Sequence, residues 1–138
     1  VAEHSVIVSH VCPPEYALEG LLHDAAEYVF GDMCNPLKSM SIMAEYRALY
    51  DKMECAIFKQ FNLIWPYPAD VKLVDRRLYV TEVHKMIPAE KLNPLWKINF
   101  DHAYDYFDFP NWPRRVAKKK FLDRFYDLNN KRNERQKK

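Results

Sequence analysis

The run His23-Asp24-Ala25-Ala26-Glu27 sets one imidazole beside two carboxylates in an otherwise apolar stretch. On a helix His23 and Glu27 stand four apart, and Asp24 and Glu27 three apart, so the group shares a face. Burying such groups is costly unless they are paired or hold a metal ion. Taken alone, the run reads as decoration of a core helix, because short motifs match by chance. Two further residues change that reading. His4 lies upstream inside an apolar run, and Asp75 lies downstream within a second helical stretch. The set H…HD…D offers nitrogen and oxygen donors suited to a catalytic divalent metal.

Helices must position those donors, and helical periodicity dominates the chain. Two glycines in 138 residues leave little room for tight hairpins. Residues 2–11 read as a helix with Val1, His4, Val8 and Val11 along one face, ended by Cys12-Pro13-Pro14. Residues 14–30 read as one continuous helix, with Leu18, Leu21, Leu22, Ala25 and Val29 as its apolar stripe and Gly31 just past its end. Residues 31–41 read as a loop holding Asp32, Pro36 and Lys38. Residues 42–61 read as a long helix with the stripe Tyr46, Leu49, Tyr50, Met53 and Ile57. Met and aromatic residues at that spacing are far more often core than cofactor site. After a Pro-rich turn over 62–68, residues 69–86 form a helix on which Val71, Val74, Asp75, Leu78 and Glu82 share a face. A carboxylate at Asp75 in that face needs a partner, and a metal supplies one.

Residues 88–112 are irregular and aromatic, with Trp96, Phe100, Tyr104, Tyr106, Phe107, Phe109 and Trp112 interleaved with Asp101, Asp105 and Asp108. They read as a loop packed across the domain, holding at most a short strand pair; a lid or an oligomer contact is the other reading. Residues 113–128 form a last helix with Ala117, Phe121, Phe125 and Leu128 inward, and residues 131–138 read as a charged, fraying tail.

This length suits a single domain spanning residues 1–138 around one core. A hydrophobic share of 49% excludes a disordered chain. The net charge of +2 argues neither for nor against an anionic partner. Its positive charge is concentrated in residues 114–138 while the whole chain is near balance, so nucleic-acid binding is not expected. Cys12, Cys34 and Cys55 are odd in number and never in CxxC spacing, so they suggest neither a disulfide framework nor a zinc ribbon, and free thiols fit a reducing cytoplasm. No apolar run approaches the roughly 20 residues of a membrane helix, and the start lacks the basic region of a signal peptide.

The ligand pattern sits within a longer one. Val1-Ala2-Glu3-His4-Ser5-Val6 resembles the first-histidine helix of HD-domain metal-dependent phosphohydrolases. His23-Asp24-Ala25-Ala26-Glu27, then Gly31-Asp32, then Pro36-Leu37-Lys38 resembles the extended form HDxxExxxGDxxxPxK. Bacterial HD-domain 5′-deoxynucleotidases and phage HD-domain dATP triphosphohydrolases carry that form. The stretch from Val71 to Glu82, with Asp75, resembles the helix that brings the last ligand. The resemblance covers residues 1–82 and implies a compact all-α HD-type bundle of about five to six helices. It implies a cytoplasmic hydrolase acting on a nucleotide, either a dNTP or a dNMP, with room for a homo-oligomer.

His4, His23, Asp24 and Asp75 would then hold one Mn, Co, Fe, Ni or Zn ion, and Mg less well, since Mg prefers all-oxygen sites. Glu27 matches the family's catalytic glutamate, Asp32 a supporting acid, and Lys38 a cation for the phosphates. His10, His84 and His102 remain as surface or outer residues, and Arg76 and Arg77 read equally as phosphate contacts or helix surface. The resemblance also implies a segment before Val1 that helps to hold the nucleotide. The first His precedes the His-Asp pair by only 19 residues, a shorter connection than many family members use. A non-catalytic HD-fold nucleotide sensor is the competing reading.

Overall fold

A computed structural model describes residues 1–88, 91–92, 99–105 and 109–136, with the backbone alone at residues 35, 100, 135 and 136. All regular structure among the described residues is helical: α1 (Ala2–Val11), α2 (Ala17–Leu22), α3 (Glu27–Phe30), α4 (Asn35–Lys38), α5 (Ala44–Gln60), α6 (Ala69–Met86) and α7 (Arg114–Gln136). Short 3-10 turns at Pro14–Tyr16, Ser41–Met43 and Phe100–His102 link them. No strand pair forms among the described residues of 88–112; Trp96, Tyr106, Phe107 and Asp108 lie outside them.

Proline sets most boundaries. Cys12 precedes Pro13 and is extended at φ −60°, ψ 153°, which stops α1. Ile87, before Pro88, is extended at φ −111°, ψ 115° and stops α6. Pro68 and Pro113 stand just before α6 and α7, where a missing N–H costs no helical bond. The end of α5 is closed differently. Asn62 takes a left-handed conformation at φ 52°, and the Leu63 and Asn62 N–H groups bond back to the Phe58 and Lys59 carbonyls. That pairing is a Schellman closure, with Leu63 and Phe58 in one apolar cluster.

Helix α1 is the centre, packed against α2, α6 and α7. Residues Ser5, Val6, Ile7, Val8 and Ser9 are all buried, so α1 is covered on every side rather than along one stripe. Ile7 and Val8 meet Val71, Val74 and Leu78 of α6 together with Phe109. Val6 meets Leu18, Leu21 and Leu22 of α2 with Phe58 and Leu63, and Phe121, Phe125 and Leu128 of α7 close that cluster. Burying each of these large side chains contributes about 1.5–3 kcal/mol. Gly20 lets α1 and α2 touch: a Cβ there would lie 2.9 Å from Cys12 Sγ and 3.4 Å from Ser9 Cα.

Several sequence expectations need correction. Val1 and Val29 are exposed, so neither joins the core. The expected helix over 14–30 is three pieces joined by turns. The expected loop over 31–41 contains α4, so Pro36 and Lys38 sit on a helical turn. On α5 the buried face is Tyr50, Glu54 and Phe58, and Leu49 points to solvent. The expected fraying tail continues α7 to Gln136, helped by Lys131 pairing with Asp127 one turn back at 2.8 Å.

Candidate metal centre

Three neighbouring elements deliver the cluster. Helix α1 brings His4, the turn after α2 brings His23 and Asp24, and α6 brings Asp75. That turn is tightened. Ala25 N–H bonds the Leu22 carbonyl at 2.9 Å and Glu27 N–H bonds the Asp24 carbonyl at 3.0 Å, each three residues back. At three residues per turn, positions i and i+3 eclipse, while i and i+4 diverge by about 120°. Glu27, three residues on from Asp24 along this turn, feels the charge of Asp24.

The His23 ring is fully buried. Its Nδ1–H donates to the Gly20 carbonyl at 2.8 Å, which leaves Nε2 as the free nitrogen of the neutral ring. Nε2 has no hydrogen-bond partner, yet Asp24 Oδ2 lies 3.2 Å away and Asp75 Oδ1 3.4 Å away. Asp75 Oδ1 also lies 3.0 Å from His4 Nε2. A buried lone pair facing carboxylate oxygens is repulsive unless a cation lies between them. Ligand atoms of His4, His23 and Asp24 fall within 4.8 Å of one another. Asp75 lies outside that group of three but touches both imidazoles, so the donors gathered here are two nitrogens and one carboxylate with a second carboxylate beside them, a set of the kind that divalent transition metals take.

With protein alone, protons play the cation's part. Burial opposes charge on His23, but Asp24 and Asp75 outweigh it and raise its pKa to about 10. Burial likewise opposes charge on His4, but Asp75 and Glu82 raise it to about 9. The two acids respond in the opposite sense: burial disfavours their charge, yet the imidazoles hold Asp24 and Asp75 below the ordinary carboxylate range.

A second layer of groups stands beside the cluster. Burial, then the charges of Asp24 and Asp32, push Glu27 up to about 7. Asp32 itself is exposed. Lys38 Nζ rests 3.8 Å from the centre of the Tyr50 ring, and its charge is felt by both Glu27 and Glu54. Glu54, one turn on from Tyr50, is only 6% exposed, and burial followed by Asp51 raises it to about 7. The Tyr67 ring meets His23 edge-on at 6.4 Å. Sequence reasoning gave no role to Glu54, Tyr67 or Glu82. One signal for Glu54 was available, since Tyr50, Glu54 and Phe58 repeat every four residues on one helical face. Tyr67, inside a Pro-rich turn, had none.

The remaining candidates are spread elsewhere. Arg77 stacks 4.0 Å over the Tyr104 ring and bonds the His102 carbonyl at 3.1 Å, so it ties the loop down; Arg76 is exposed. His10 lines a separate groove with Trp112, Lys120 and Arg124 between α1 and α7, and no member of the cluster reaches it. No helix among the described residues is long and apolar enough to cross a membrane.

Comparison with known proteins adds relatives without described activities. The chain is 29% identical over 120 residues to an uncharacterized protein, YfdR, of Escherichia coli, covering 78% of this chain and 66% of that one. It is 38% identical over 79 residues to an uncharacterized protein, RCAP_rcc00048, of Rhodobacter capsulatus, covering 52% of this chain and 40% of the relative. It thus spans just under two thirds of the first relative's length and two fifths of the second's. No family profile and no solved structure matches the chain.

Proposed function

We propose that this chain is a metal-dependent phosphohydrolase of the HD-domain type, acting on deoxynucleotides. The observation that carries the reading is the convergence of the buried His23 Nε2 with Asp24, Asp75 and His4, three elements meeting at one point. His4, His23, Asp24 and Asp75 would hold one Mn, Co, Fe, Ni or Zn ion. When bound, such an ion supplies an acidified water and positive charge for a phosphoryl oxygen. Glu27 stands outside the ligand cluster with a carboxyl near the midpoint of its titration at neutral pH. A group so poised accepts a proton from an attacking water or returns one to a leaving oxygen. Lys38 presents its ammonium over the Tyr50 face, from which a phosphate would draw it. Asp32 raises Glu27 and supports it in that role.

A binding module would need a ligand cluster or an anion clamp, but not an acid tuned toward neutrality beside them. That combination favours catalysis over the alternative of a non-catalytic nucleotide sensor. The test is a phosphate-release screen over the dNMPs and dNTPs with Mn, Co, Zn and Mg in turn. Metal-stimulated release from at least one nucleotide is expected. Tight nucleotide binding with no release under any metal would favour the sensor.

A further inference from the structure

Both ring nitrogens of His4 face carboxylates. Nε2 lies 3.0 Å from Asp75 Oδ1, and the ring centre is 5.5 Å from that of His23. On the other side, Nδ1 lies 3.2 Å from Glu82 Oε2. This Nδ1 is buried and makes no formed hydrogen bond, so Glu82 stands close to it but out of line. An imidazole that ligates through Nε2 carries its proton on Nδ1, and a buried N–H needs an acceptor. For His23 that acceptor is the Gly20 carbonyl. Glu82 occupies the matching place for His4. It lies two turns beyond Asp75 on the same face of α6 and is three-quarters buried.

We propose that Glu82 is the positioning residue of the metal centre: it accepts the His4 Nδ1–H and fixes Nε2 as the ligating nitrogen. The inference rests on the metal-centre reading above. Glu82 is not itself a ligand, because it meets the ring nitrogen opposite the one that faces Asp75. Helix α6 then supplies one ligand directly and orients another that comes from α1. A slight turn of the His4 ring brings the Nδ1–H into line once Nε2 is engaged.

The test compares wild type, Glu82→Gln and Glu82→Ala, with zinc affinity read by competition against a chelating dye. Glu82→Ala should weaken zinc binding by about 10–100-fold. Glu82→Gln should recover most of that loss, because its amide oxygen accepts the same proton. Nitrogen NMR on zinc-loaded, histidine-labelled protein should show a protected His4 Nδ1–H in wild type and Glu82→Gln, and lose that protection in Glu82→Ala. Wild-type affinity and an unchanged Nδ1–H in Glu82→Ala would overturn the positioning role while leaving the metal centre standing. A Glu82→Gln protein as weak as Glu82→Ala would also overturn it, pointing to charge or direct ligation. A wild type that takes up no zinc would remove both proposals together.

Discussion

Replacing Gly20 with Ala should damage the site from a distance. The new Cβ would sit 2.9 Å from Cys12 Sγ, 3.3 Å from Val8 Cγ1 and 3.4 Å from Ser9 Cα. A 2.9 Å contact forces movement, and Cys12 lies buried within the α1–α6 cluster, so it cannot swing clear. Helices α1 and α2 must part by a few tenths of an ångström. Overpacking of this kind typically costs about 1–3 kcal/mol. Ala also favours the helix over Gly by about 0.8–1 kcal/mol. The net loss should be about 0–2 kcal/mol, or several degrees in Tm at the upper end.

The effect on metal affinity should be larger than that on stability. Gly20 holds the His23 ring through its carbonyl, while α1 carries His4, so parting the helices separates two of the ligands. Urea denaturation of metal-free protein and zinc titration, run on the same samples, would measure both. Adding Cys12→Ala removes the closest contact and should restore part of the affinity. A Gly20→Ala protein that is more stable than wild type and binds metal as tightly would refute the packing argument.

Glu27→Gln should lower kcat by about 10²–10⁴-fold while sparing metal content, since Glu27 lies outside the ligand set; steady-state kinetics with elemental analysis would check this. The same substitution should stabilise the protein at alkaline pH. The Glu27 pKa is raised on folding, so its ionised form opposes folding: its favourable contribution is complete below about 4.5 and lost as pH rises through about 7. Thermal melts at pH 5 and pH 8.5 should show a gain at the higher pH alone. Metal affinity should rise with pH up to about 9–10, because His4 and His23 must lose protons to bind; zinc titrations from pH 6 to pH 9 would show it, and a flat profile would contradict it. Lys38→Ala should raise KM more for a dNTP than for a dNMP, since more negative charge loses its partner, as parallel kinetics on the two substrates would reveal.

Much of the fold was legible because its boundaries are written in proline and its core in helical spacing. Helices α1 and α6 fall where residues 2–11 and 69–86 were expected. The misreadings occur where side chains compete with the helix. The His23 ring takes the Gly20 carbonyl, and the chain tightens to a three-residue pitch through Asp24 and Glu27. Periodicity assumes the regular pitch, so it read residues 14–30 as one helix where the chain forms three pieces. On α5 the apolar spacing picks out Tyr46, Leu49, Tyr50, Met53 and Ile57, whereas the buried face runs through Tyr50, Phe58 and the charged Glu54. Burial raises the Glu54 carboxyl to about 7, and the charge of Lys38, which only the fold brings near it, opposes that shift in part. Of the site, the residue types His4, His23, Asp24 and Asp75 could be read directly. The tertiary partners Glu82 and Tyr67 could not, because their roles depend on which helix faces which.

Metal content of purified, metal-loaded protein tests the central claim most directly. Wild type and Glu27→Ala should each retain about one transition-metal ion per chain, and Asp24→Ala should retain almost none. Wild type without bound metal, or Asp24→Ala with as much as wild type, would contradict a centre built from His4, His23, Asp24 and Asp75.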